Sequence, residues 1–244
     1  MEQNLSKKTR TESDLIGSRE VPESALYGVQ TLRGIENFRI SKFHLNEYPL
    51  FIQALAITKM GAAVANRELD LLTEEQADAI LKACKEILEG KHHDQFPVDM
   101  IQGGAGTTTN MNANEVIANR ALELMGHQRG EYQYCSPNDH VNRSQSTNDA
   151  YPTAIHIGLY YTHLKLVKHF EVLIESFRKK ATEFAHVIKM GRTQLEDAVP
   201  MTLGQTFNGF ASILSHEIKN LDFAAQDFLA VNMGATAIGT GITA

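Results

Sequence analysis

From Glu47 to about Glu68, apolar residues return at helical spacing: Leu50, Ile52, Leu55, Ile57, Met60 and Ala63. That period predicts an amphipathic helix. The next stretch has readable ends. Thr73 with Gln76 forms a capping box, Ile80, Leu81, Cys84, Ile87 and Leu88 make the stripe, and Gly90 stops it. A third helix is expected over Asn112 to Met125, after the turn Gly103-Gly104-Ala105-Gly106 and before the terminator Gly126. Residues 1–20 are polar and predict a loose terminus. Residues 21–46 mix β-branched, aromatic and turn-forming residues and predict short strands or loops. Residues 127–145 read as irregular.

The pattern then changes scale. From about Asp149 to Phe184 nothing breaks the helix, and Pro152 sits near its start, where a missing N–H costs little. Thirty-odd residues make a rod of roughly 50 Å. A second long pattern runs from Thr202 to about Val231, with the stripe Leu203, Phe207, Phe210, Leu214, Ile218, Leu221, Ala225 and Phe228. Two helices of this length predict a large bundle. The first is apolar on several faces (Ile155, Ile157, Leu159, Tyr160, Leu164, Leu166, Val167, Phe170, Leu173, Ile174, Phe177), more than one neighbour can cover. More chain or other subunits are needed to bury it. The chain also stops at Gly241-Ile242-Thr243-Ala244 without a closing element. Both features predict an incomplete chain or an obligate oligomer.

Composition narrows the class. Of 244 residues, 43% are hydrophobic, enough for a core. The net charge of -6 argues against nucleic acid as a partner, because phosphate binding needs clustered Lys and Arg. No apolar run approaches the roughly 18 residues that span a bilayer, and the start lacks a signal-peptide core. Two cysteines, Cys84 and Cys135, make no disulfide framework. A cytoplasmic setting, away from membranes, is expected. The ten histidines show no metal-ligand spacing.

Three polar runs are candidates for chemistry. Gly103-Gly104-Ala105-Gly106-Thr107-Thr108-Thr109-Asn110 sets glycines and hydroxyls at a helix start, where exposed N–H groups and the helix dipole favour an anion. A plain capped turn explains it equally well, and it matches neither the dinucleotide nor the P-loop spacing. Gln145-Ser146-Thr147-Asn148-Asp149 opens the first long helix. One of these residues is an N-cap, Ser146 to Asp149 exceed what capping needs, and the neutral hydroxyl and amide donors among them suit a carboxylate; a solvated cap is the alternative reading. Met190 to Asp197 joins the long helices. There Arg192 is expected to pair structurally with Glu196, Asp197 or another chain, while Thr193 and Gln194 are uncharged donors. Pro137-Asn138-Asp139-His140 reads as a turn with a structural histidine.

Taken in order, these runs resemble the aspartase/fumarase superfamily. The resemblance is carried by Gly103 to Thr107 with Asn110-Met111-Asn112-Ala113-Asn114-Glu115, by Ser136 to Asn142 through Ser146 to Asp149, and by Gly191-Arg192-Thr193-Gln194 with Asp197-Ala198 and Leu203-Gly204-Gln205. It covers the chain from about Val21 onward. The details lie on the ammonia-lyase side. Fumarases of the superfamily typically carry Ser where Ala105 stands, His where Gln194 stands, and His where Ser136 stands. Gly130-Glu131-Tyr132-Gln133-Tyr134 is also similar to aspartases.

The resemblance implies a mainly α fold, with a small mixed N-terminal domain (1–144) followed by the first part of a central multi-helix bundle (145–244). It implies reversible deamination of L-aspartate to fumarate and ammonia. A base takes the β-proton, and an aci-carboxylate intermediate is held by oriented donors. Thr107, Ser146, Thr147, Asn148 and Thr193 would bind substrate, with Gln194 in support. It also implies a homotetramer with sites shared between three subunits, no required cofactor, and activation by a divalent cation such as magnesium in some members. The family's serine loop, Gly-Ser-Ser-x-Met-Pro-x-Lys, does not occur in these residues, so the chain is expected to be about half a subunit and inactive alone. A fumarate hydratase and a non-catalytic helical assembly module stand as the alternatives.

Overall fold

The computed structural model describes residues 8–242 and 244. Its first element corrects the expectation of a loose terminus. Strand β1 (Thr9–Asp14) pairs antiparallel with β2 (Gly17–Pro22), while residues 1–7 lie outside the described residues. This hairpin shows no apolar alternation, because only Glu12 and Val21 are buried in it. Asp14 closes its turn by accepting from the Ile16 and Gly17 N–H groups at 2.9 and 3.1 Å. The second correction follows it. Residues 21–46 contain a helix, α1 (Val29–Asn37), in place of strands or loops alone.

Helix α1 has no side-chain cap of its own. Its first N–H groups are taken by carboxylates from elsewhere in the chain. Glu115 accepts from Gly28, Gln30 and Thr31 at 2.8, 2.8 and 3.0 Å, and Glu12 accepts from Val29 at 2.9 Å. The Tyr132 hydroxyl donates to the same Glu12 at 3.0 Å. Gly28 is dictated by this crowd: a Cβ there would stand 2.5 Å from Glu12 and 2.7 Å from the Tyr132 oxygen.

The expected helices follow as α2 (Pro49–Glu68) and α3 (Glu74–Leu88). Thr73 accepts from the Gln76 N–H, and Gln76 accepts from the Thr73 N–H, both at 3.2 Å, so the expected capping box forms. Helix α4 (Thr107–Leu124) begins five residues earlier than the spacing suggests and is buried almost throughout. Ile52, Leu55, Ile80, Ile87, Val116, Ile117 and Leu122 from α2, α3 and α4 make the main core, all fully or almost fully buried. Residues 127–145 stay irregular apart from a single π turn at Pro137–Val141. There Ser136 N–H donates to His140 Nδ1 at 2.7 Å, the structural role expected of that histidine.

Helix α5 (Thr147–Glu183) runs 37 residues. The chain divides into two compact units, one made of residues up to Gly158 with Val231–Ala244, the other of Leu159–Ala230. The second unit holds the rest of α5, the hairpin β3 (Ile188–Thr193) with β4 (Glu196–Thr202), and α6 (Leu203–Ala225). α6 ends before Val231 and passes into a short 3-10 turn at Gln226–Leu229. Phe177, Phe184, Phe207 and Phe210 form an aromatic cluster with ring centroids 5.5–6.3 Å apart. Much apolar surface remains open in this unit: Val172 is 68% exposed, Ile213 60% and Phe223 82%.

Candidate functional site

The arm at Ser146 is built by a cap and then tied down from two sides. Ser146 is the N-cap of α5: its Oγ accepts from the Asn148 N–H at 3.2 Å, and Asp149 accepts from the Ser146 N–H at 3.0 Å. Asp149 is fully buried, and its second oxygen accepts from the Thr236 N–H at 2.8 Å. Pro152 cannot donate to the Asn148 carbonyl one turn back. The Asn232 amide donates to that carbonyl instead, at 3.1 Å. The Asn148 side chain in turn donates to the Ala237 carbonyl at 2.6 Å. Residues 232–237 thus clasp the start of the helix.

From the inner side a buried amide network reaches Thr147. Lys59 on α2 is 1% exposed, and its ammonium donates to Asn110 Oδ1, Asn142 Oδ1 and Gln145 Oε1 at 2.8, 2.9 and 2.9 Å. Asn110 donates onward to Thr147 Oγ1 at 3.1 Å and to Asn142 Oδ1 at 3.2 Å. Asn114 also donates to Asn142 Oδ1, at 3.2 Å. Burial pulls Lys59 down to about 7, with Asp149 and then Cys84 acting the other way. The polar runs of the sequence include Asn110 and Gln145 but do not point to this lysine. A signal was nonetheless present: Lys59 falls on the buried face between Leu55 and Ala63, where a charge is rare unless paired.

The other predicted residues take two further positions. Thr107 starts α4, exposed, with its hydroxyl donating to the Gly104 carbonyl. One N–H of that helix start is already occupied, because Thr109 N–H donates to Gln102 Oε1 at 2.7 Å. Thr107, Ser146, Thr147 and Asn148 belong to the first unit. Thr193 and Gln194 belong to the second, exposed at the tip of the β3–β4 hairpin. Arg192 pairs with Asp197 at 3.0 Å, as expected. A cavity in the first unit, about 700 Å³ and lined by Asp14, Arg33, Thr108, Tyr132 and Asn138 among others, includes none of the predicted site residues. Among the described residues no group of three or more His, Cys, Asp or Glu side chains is placed to hold a metal ion. Among them, too, no helix is long and apolar enough to cross a membrane.

The hairpin tip carries local strain. Gln194 and Leu195 both have positive φ, 52° and 67°, in a two-residue turn that favours Asn and Gly. Leu195 is fully exposed. Leu195→Gly is expected to stabilise the chain by about 1 kcal/mol, read as a rise in the thermal midpoint. No gain would show that the turn is relaxed despite its side chain.

A mainly α chain with a hydroxyl- and amide-rich arm at the head of a long bundle helix matches one family. The family described as Lyase covers residues 17–244, and the chain belongs to it, within the aspartase/fumarase superfamily. Among its relatives, the aspartate ammonia-lyase of Escherichia coli (strain K12) is 56% identical over 239 residues, covering 98% of this chain and 50% of the relative. That of Pseudomonas canavaninivorans is 58% identical over 236 residues, covering 96% and 50%. The chain therefore spans about half the length of these relatives. A fumarate lyase:delta crystallin from Brucella melitensis, bound to cobalt, superposes with a TM-score of 0.94 at 51% identity, covering 97% of this chain and 52% of that one. A class II fumarase from Schistosoma mansoni superposes with a TM-score of 0.89 at 37% identity, covering 97% and 50%.

Proposed function

We propose that this chain is the substrate-holding half of an aspartate ammonia-lyase. The observation that carries the reading is the arm itself. Ser146, Thr147 and Asn148 keep some exposure at a helix N-terminus, while Lys59 and Asp149 beneath them are buried and partnered. Neutral donors at a helix dipole hold a carboxylate without neutralising it, which suits a substrate that gains negative charge during reaction. Removal of the β-proton of L-aspartate leaves a carbanion, and its electron pair moves into the adjacent carboxylate to give the aci form. Collapse of that pair to the double bond expels ammonia from the α-carbon and yields fumarate. Oriented donors lower the barrier because they meet the charge where it develops. In this reading Thr107, Ser146, Thr147, Asn148 and Thr193 hold the carboxylates and amino group, with Gln194 in support.

The base is not among these residues, since no Gly-Ser-Ser-x-Met-Pro-x-Lys run occurs in the 244. The open apolar surface of the second unit fits a homotetrameric bundle in which each site draws on three subunits. The greater identity to ammonia-lyases than to the fumarase, 56–58% against 37%, favours ammonia as the leaving group. The test has two parts. Incubated with L-aspartate, the pure chain is expected to form no fumarate by ultraviolet absorbance, and robust turnover would overturn the division of labour. Titrated with fumarate, Ser146→Ala and Thr147→Ala are expected to bind roughly tenfold more weakly than the parent. Unchanged affinity in both would sink the arm as the carboxylate site.

A further inference from the structure

A hydroxyl that must donate to a substrate needs its own acceptor side occupied, and the network beneath Thr147 supplies that. We propose that Lys59 is a positioning residue: through Asn110 it fixes the Thr147 hydroxyl as a donor turned away from the protein. The inference rests on the reading of the arm as a carboxylate site.

Three amide oxygens lie 2.8–2.9 Å from Lys59 Nζ, and only the ammonium form has three N–H groups to give them. Asn110 must therefore turn its oxygen toward Lys59. Its Nδ2 then faces the other way, 3.1 Å from Thr147 Oγ1 and 3.2 Å from Asn142 Oδ1. Both of its N–H groups are used. The Thr147 oxygen receives one of them, so its own proton cannot point at Asn110 and is available on the far side. A flipped Asn110 would reverse this: its oxygen would accept the Thr147 proton, and the arm would lose a donor. A buried charge thus sets the polarity of a partly exposed hydroxyl two bonds along a hydrogen-bonded chain. The charged and titratable groups facing Lys59 are Asp149 on α5 and Cys84 on α3. Asp149 favours the ammonium and is itself held by the Ser146 and Thr236 N–H groups.

Two variants separate positioning from folding. Lys59→Met removes the charge and takes the lysine donor from Asn110 Oδ1 and Gln145 Oε1, while Asn142 Oδ1 keeps Asn110 and Asn114, so its thermal midpoint reports what the network contributes to folding. Asn110→Asp keeps Lys59 in an ion pair at the same place, yet a carboxylate has no N–H to give Thr147 and draws its proton inward. For Asn110→Asp, where the ion pair with Lys59 offsets the lost donor to Asn142 Oδ1, the expected result is a folded chain with a fumarate affinity roughly tenfold lower. Side-chain NMR gives a readout that a purely structural role would not move. The Asn110 amide signals should titrate with the same midpoint as the Lys59 Nζ nitrogen. Asn110 signals that ignore the lysine, or an Asn110→Asp chain that binds fumarate as tightly as the parent, would overturn the proposal. If the amide signals follow Lys59 but the parent chain binds no fumarate, the carboxylate reading fails while the polarity of the network stands.

Discussion

Glu115→Ala is expected to destabilise the first unit by about 3–5 kcal/mol, enough to unfold a marginal domain. Glu115 is fully buried and accepts from three N–H groups at the start of α1, those of Gly28, Gln30 and Thr31. Truncation takes the acceptor from all three in a place water cannot easily reach. Urea denaturation measures the loss as a lower midpoint, and a loss under about 1 kcal/mol would mean that Glu12 or water takes over the cap. Glu115→Gln keeps the shape and one acceptor, and its cost should be smaller.

Glu115 also gives a pH dependence with a definite sign. Burial raises it from 4.5 to about 7, against the backbone N–H donors that pull the other way. The folded chain therefore holds this proton where the unfolded chain has lost it. Its contribution is complete below 4.5 and is lost as pH rises through 7. Lys59 works in a different window. Its folded value of about 7 lies below the free value of 10.5, so its contribution is present above 10.5 and lost as pH falls through 7. Glu115→Gln should flatten the lower window and leave the upper one alone, which a set of denaturation curves would resolve.

These groups mark the boundary between what the sequence discloses and what it withholds. Local rules are legible where both partners lie within a turn of each other. Thr73 with Gln76, the stripe of α3 and the length of α5 are all readable from spacing. Helix α1 is not, because its cap arrives from Glu115, 85 residues from Gln30, and its own cap residue is Gly28. The β1–β2 hairpin hides for a related reason: one of its two buried residues is Glu12, a charge partnered by Arg10 and Tyr132, so no apolar alternation announces it. At the site, the motif residues Ser146, Thr147 and Asn148 stand out by their run. Beneath them, Lys59 and Asn110 come from segments far from Asn142 and Gln145, and nothing local to either shows that they meet there. A polar network is a property of the fold, and the sequence shows only its surface end.

Gly106→Ala is the substitution expected to disturb the arm most from outside it. Gly106 has φ +90°, a region that costs a residue with a Cβ about 1–2 kcal/mol. A Cβ there would also lie 2.5 Å from the Tyr151 ring. That ring cannot simply yield, because it packs edge-on to Phe51 of α2 at 5.8 Å. Together the backbone strain and the overlap should cost about 3 kcal/mol or more. By sequence the glycine run reads as an anion cradle or a plain turn, and Tyr151 supplies a third physical reason for it. The turn must be thin at position 106 so that the first turns of α5 can lie against the start of α4. Thr107 follows immediately on one side, and Thr147 precedes Tyr151 by one helical turn on the other. Displacing the ring therefore shifts two predicted substrate contacts at once. Gly106→Ala should lower fumarate affinity more than Thr107→Ala does, and pairing it with Tyr151→Leu should recover part of both losses, because the smaller side chain makes room for the methyl. A double variant as damaged as the sum of its parts would show that the backbone angle, and not the ring, is what Gly106 is there to satisfy.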